Sequence, residues 1–114
     1  MKPSSAKAKG RNFQKDMRDM ILAAFPELEP DDVRSNPMGA PGEDLLLSPA
    51  ARKLLKGIQI ECKNCRKISI NAWLEQAKEH GKHIPVVFFN LGARKGSAVT
   101  MKVEDFLKLV KDNK

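Results

Sequence analysis

Residues 58–65 read IQIECKNC, and the way this octapeptide is taken decides the rest of the chain. As a strand it sends Ile58, Ile60 and Cys62 to one face and Gln59, Glu61 and Lys63 to the other. The first face is apolar and belongs against a helix. The second carries a carboxylate and an amine side by side on a central element. The same letters contain Cys62-x-x-Cys65, which suits half of a metal or redox site. The acid–amine pair and the cysteine pair therefore compete for the chemistry.

Upstream, Ser48-Pro49 has the chemistry of an N-cap followed by proline at the first helical position, so SPAARKLL is predicted as two helical turns. Leu45–Leu47 form a brief strand that begins at Asp44, after the Pro- and Gly-rich NPMGAPGE, and Val33–Ser35 suit another short strand. Phe13, Met17, Met20, Ile21 and Ala24 recur at helical spacing, which predicts a helix from about 11 to 25 ending before Pro26. Residues 1–10 have the composition of a mobile basic arm, leaving 11–114 as a single domain. Downstream, Asn71 is placed to cap a helix running to about His80, with Gly81 beyond its end. PVVFFN is the strongest strand, LGARKG a turn and SAVTM a further strand, and Val103, Phe106, Leu107 and Val110 place an apolar stripe on a last helix. The main order is α, β, β, β, α, β, β, α, and Trp73 with Ala77 reads as core packing.

A chain of 114 residues can bury one modest core, so an active site must share its framework. The formal charge is +7, unevenly spread: six basic residues against Asp16 over 1–18, six acids against Arg34 over 27–44, and six cations against Glu61 over 52–67. Basic surfaces around a small acidic patch suit a polyanion, since lysine and arginine release the counterions condensed on nucleic acid. The N-terminal arm, with Lys9 and Arg11, and the block Arg52–Lys67 are expected to track a nucleic-acid backbone, with binding that weakens steeply in salt. No apolar run approaches the ~20 residues of a membrane span, and MKPSSAKAKG lacks a signal-peptide core. With two cysteines separated by only two intervening residues, a reducing, cytoplasmic setting is expected.

Asp44 is the second acid expected near Glu61, since a strand pair joined by the SPAARKLLKG crossover sets one against the other. Converging carboxylates repel unless a cation lies between them, and Mg²⁺ is commonly held by one or two carboxylates with water completing its octahedron. Lys63 would orient the attacking water or neutralise developing charge.

GED at 42–44 followed by IECK at 60–63 resembles the PD-(D/E)XK nuclease superfamily, and VRSNPMGAPGED resembles the approach in small Holliday-junction resolvases and their phage-encoded relatives. The likeness runs from KGRNFQKDMRD at 9–19 through the last strand. It implies a restriction-endonuclease-like α/β fold with an αβββαβ core and a mixed central sheet flanked by helices. It further implies metal-dependent phosphodiester hydrolysis on branched DNA such as a four-way junction, and a homodimer. Carried over by position, Asp44 and Glu61 would be metal ligands with the backbone carbonyl of Cys62 a third, Lys63 the catalytic lysine, and Mg²⁺ the ion, with Mn²⁺ as substitute. Glu43 stands where the family motif has proline, and Gln14 where many relatives place a helix glutamate that assists the metal. Arg34 and Ser35 lie where relatives place polar residues near the scissile phosphate, and Gln76 matches a glutamine facing the site in several branches. The same fold also serves nucleases of linear, nicked or forked DNA.

The competing zinc pattern is Cys62-x2-Cys65-x14-His80-x2-His83, which would staple a non-enzymatic nucleic-acid-binding module. Zinc sites prefer three to five residues between the histidines, and Gly81 interrupts these two. Cys62 alternates with the isoleucines and so is expected in the core, with His80 and His83 near the carbonyls of a helix end.

Overall fold

A computed structural model describes residues 3–112, with side chains from residue 5 onward. Lys2 and Lys114, counted above among the cations, lie outside the described residues. The elements are α1 (Pro3–Ala24), β1 (Val33–Ser35), β2 (Leu45–Leu47), α2 (Pro49–Leu54), β3 (Ile58–Lys63), α3 (Ile70–Glu79), β4 (Ile84–Asn90), β5 (Ser97–Thr100) and α4 (Val103–Asp112). Five strands form one mixed sheet in sequence order. β1, β2 and β3 make an antiparallel meander, β3 and β4 run parallel, and β5 returns antiparallel to β4. Parallel neighbours need a crossover, which α3 supplies between β3 and β4.

The alternation expected along β3 is realised, and it divides the molecule into two layers. Ile58 and Ile60 join Val33, Leu45 and Val86 beneath Phe13, Met17 and Ile21 of α1, with Cys62 and Phe88 packed against the same cluster. On the opposite face Trp73 and Ala77 of α3 cover Val87 and Phe89, and the Trp73 and Phe89 rings lie 5.4 Å apart. Here β3 is polar yet buried: Gln59 donates to the Ala77 carbonyl at 2.7 Å and accepts from the His83 N–H at 3.0 Å. The Ser48 cap and Pro49 start α2 as their chemistry requires, the hydroxyl accepting from the Ala51 N–H at 3.1 Å.

Several expectations are corrected. α1, predicted from about residue 11, begins at Pro3: Pro3 is tolerated in a first turn, and Ala6, Lys7, Ala8 and Lys9 are good helix formers with no breaker until Gly10. Of the residues at helical spacing in α1, Phe13, Met17 and Ile21 are buried and Met20 is 59 % exposed. α3 opens at Ile70 with Ser69 at the N-cap, so Asn71 lies inside the first turn. The α4 stripe faces outward, with Val103, Phe106, Leu107 and Val110 each more than half exposed, whereas Leu109 packs toward the α1-side core.

Gly81 lies beyond α3 as expected, but it is not among the left-handed glycines. What its position requires is space: a Cβ there would come within 2.5 Å of the Gln59 amide oxygen, which its hydrogen bonds hold in place. Gly81→Ala should therefore lower stability by about 1–3 kcal/mol, since either the clash or a broken buried hydrogen bond must be accepted. Thermal unfolding checks this, and in a Gln59→Ala background the loss should be smaller because the obstructing amide is gone.

Candidate active site

The pairing of Leu45 with Ile60 places Asp44 opposite Glu61. Asp44 is fixed mainly through its backbone: its N–H donates to the Ile60 carbonyl at 3.0 Å, and its carbonyl accepts from the Asn36 N–H at 2.8 Å. Its carboxylate Oδ2 accepts the Cys62 N–H at 2.8 Å, so the side chain caps the end of the β2–β3 ladder. Buried Gln14 donates through Nε2 to the carbonyls of Asp44 at 2.6 Å and Asn36 at 2.9 Å. A glutamate could not donate those bonds. Gln14 thus holds the main chain on which Asp44 stands.

The Pro- and Gly-rich approach to Asp44 is folded around Asn36, whose amide donates to the carbonyls of Pro41 and Glu43 at 3.0 and 2.9 Å. Gly42 passes through φ +96°, a conformation that disfavours other residues. Glu43 is buried and ion-paired with Arg52 at 3.1 Å, and Arg52 also donates to the Ile58 carbonyl at 2.8 Å. That pair ties the approach loop to α2 and the start of β3.

Glu61 is 3 % exposed on the α3 side of the sheet. Its Oε2 lies 3.6 Å from the Lys63 amine, which donates to Gln76 Oε1 at 2.6 Å. Its Oε1 lies 3.0 Å from Nδ1 of His80, without hydrogen-bond geometry, so this buried oxygen has no donor among the described residues. Burial raises the Glu61 carboxyl above its ordinary value, the charge of Asp44 raises it further, and His80 and Lys63 oppose both. Two neighbouring carboxylates, one buried and short of donors, fit a hard divalent cation. Among the described residues no group of three His, Cys, Asp or Glu side chains is arranged for a metal, so Asp44 and Glu61 would hold an ion together with backbone or water oxygens. The Cys62 carbonyl leaves β3 on the same side as the N–H bound by Asp44, because both groups of a strand residue point the same way.

The remaining candidates divide. Arg34 is exposed, without an ion pair among the described residues, and by alternation opposite buried Val33 it lies on the Glu61 side of the sheet. Ser35 alternates to the Val33 side, away from Glu61. Gln76 is brought to Lys63. Lys9 and Arg11 are exposed on α1, with Lys9 beside Asn64 just past β3. The block Arg52–Lys67 does not form one basic surface: Arg52 is consumed by Glu43, and β3 carries Lys63, Arg66 and Lys67 to the opposite end from Lys53 and Lys56.

The zinc pattern is not assembled among the described residues. Cys62 packs on the α1 side, His80 approaches Glu61 on the other, and Cys65 and His83 are exposed. Burial pushes the Cys62 thiol far up, and the charges of Asp44 and Glu61 push it further, so it stays a protonated core residue. Sequence reasoning missed His80 as the neighbour of Glu61 and the organising roles of Asn36 and Arg52. The spacing of Gln76 and His80, one helical turn apart, was the available signal that both face one strand.

Comparison with family models, with curated proteins and with solved structures finds no match.

The raised Glu61 carboxyl fixes the sign of a pH effect. The folded chain keeps the proton above pH 4.5, where the unfolded chain releases it, so stability present below 4.5 is lost as the pH rises through the higher folded value. Glu61→Gln should therefore unfold at a higher temperature than the wild type at neutral pH without added metal. That gap should close as the pH falls toward 4.5, and melting curves across pH read it directly.

Proposed function

We propose that the chain is a Mg²⁺-dependent DNA endonuclease of Holliday-junction-resolvase type, built on a restriction-endonuclease-like core. The observation that carries this is the convergence of Asp44, Glu61 and Lys63, from two strands, at the end of the β2–β3 ladder. The succession α1, β1, β2, β3, α3, β4, an antiparallel meander followed by a parallel crossover, supports the core, with α2 as a short insertion.

Each residue has a task on this reading. Asp44, held from behind by Gln14 and Asn36, and Glu61, enclosed by α3, would hold a divalent ion, with the Cys62 carbonyl on the same side. Mg²⁺ or Mn²⁺ bound there would supply an acidified water and charge compensation at the phosphoryl group. Lys63 places a positive donor beside the reacting phosphate, and Gln76 keeps its amine in position. Arg34 is free on the same side to contact a phosphate. Backbone contacts of this kind read DNA geometry, not sequence.

Asp44→Ala and Lys63→Ala should both bind a labelled four-way junction, yet cut it at least about 100-fold more slowly than the wild type with Mg²⁺. Wild-type rates in both variants would end this reading. Mg²⁺ or Mn²⁺ should also raise the unfolding temperature of the wild type and leave that of Asp44→Ala nearly unchanged. Equal cutting of duplex, flap and junction would move the assignment to a nuclease of linear or forked DNA.

The outward stripe of α4, with Met20 and Val99 also exposed, supports a homodimer, because a second copy would cover apolar surface the fold leaves in water. Sedimentation should find a dimer for the wild type and a folded monomer for Leu107→Glu. A monomeric wild type removes the dimer.

A further inference from the structure

Beyond Lys63 the end of β3 opens into a second feature. A cleft of about 380 Å³ lies between α1, the β3–α3 loop and the β4–β5 loop, lined by Lys9, Asn64, Arg66, Asn90, Gly92 and Ala93. Its floor is built: Asn90 donates to the Asn64 amide oxygen at 3.0 Å and accepts from the Gly92 N–H at 3.1 Å. These bonds join the two loops, so the cleft does not depend on a ligand to form.

The charge around it is one-sided. Lys9, Arg66, Arg94 and Lys95 are all exposed, and none has a carboxylate at ion-pair distance among the described residues. The chain has no acid between Glu61 and Glu75, nor between Glu79 and Glu104, so both loops are free of compensating charge. The β4–β5 loop is closed by a Leu91 N–H bond to the Gly96 carbonyl at 2.9 Å, and it holds Arg94 at φ 61°. A left-handed arginine costs roughly 1 kcal/mol, and such conformations concentrate where function requires them.

We propose that this cleft is a second phosphate-binding groove, which holds the sugar–phosphate backbone of one DNA arm beside the scissile site. Arg66 lines one wall, and Arg94 with Lys95 follow Gly92 and Ala93 of the other wall in the same loop; these three cations are its principal contacts. Asn64, the residue after Lys63, lines the groove, so it lies at the same end of β3 as Lys63. The inference rests on the nuclease reading for its substrate, but its contacts require neither metal nor catalysis.

The test is binding of a fluorescent four-way junction and of a duplex, in EDTA, across a salt series. The variant Arg66→Ala/Arg94→Ala/Lys95→Ala is set against a control of equal charge, Lys78→Ala/Lys108→Ala/Lys111→Ala, taken from the exposed faces of α3 and α4. Each lost phosphate contact should flatten the slope of log affinity against log salt by about 0.9, so the cleft variant should lose roughly 2–3 in slope and at least about ten-fold in affinity. The control should keep a slope near that of the wild type. A cleft variant indistinguishable from its control overturns the groove even if Asp44→Ala abolishes cutting. A wild type that binds no DNA without metal, or binds RNA alone, overturns it as well. Retained cleavage in Asp44→Ala together with the predicted loss of slope in the cleft variant leaves the groove standing while the nuclease reading falls.

Discussion

Glu61 is a carboxylate almost without access to water, set in a central strand next to a second carboxylate. Burying such a group is unfavourable unless positive charge or donors surround it, and the α3 layer is arranged around that requirement. Gln59, Glu61 and Lys63 are successive positions on one face of β3, and each is met by α3 or its end: Gln59 by the Ala77 carbonyl and His83, Glu61 by His80, Lys63 by Gln76. A strand of period two is matched by helix positions one turn apart. The apolar core on this side is correspondingly small, limited among buried residues to Trp73, Ala77, Val87 and Phe89. The compensation is incomplete, since one buried oxygen of Glu61 lacks a donor among the described residues.

Asp44 is held by a different principle. Its backbone is locked by Ile60 and Asn36, its carbonyl by Gln14, and its carboxylate by the Cys62 amide. The irregular loop before it takes its shape from side-chain amides bonded to main-chain carbonyls, which explains why buried polar residues cluster around a segment of glycine and proline. One acid is thus positioned by backbone geometry and the other by the layer packed over it. Their approach follows from the register of β2 on β3.

The fold also redistributes the basic charge. Arg52 is spent on buried Glu43, and Lys53 and Lys56 stay at the start of β3. Lys63, Arg66 and Lys67 are carried to the strand's far end, where Lys9 comes from α1 and parallel β4 leads into the loop bearing Arg94 and Lys95. The positive surface beside the candidate site therefore draws on several segments, none of which is a charge block in its own right.

Much of the local structure was legible in the letters. The alternation in IQIECK named both faces of β3 correctly, Ser48-Pro49 marked the start of α2, the β-branched and aromatic run PVVFFN marked β4, and the pairing of adjacent strands brings Asp44 near Glu61 and Lys63. These features are encoded by residues close in sequence or by the pairing of adjacent strands, where period and cap chemistry act directly. The approach of His80 to Glu61, the ion pair of Arg52 with Glu43, the role of Gly81 as space for Gln59, and the outward turn of the α4 stripe were not legible. Periodicity says which side of an element is apolar or polar, but not which other element covers it. That depends on strand order, on the crossover and on the volume already filled, and these are set when distant segments pack.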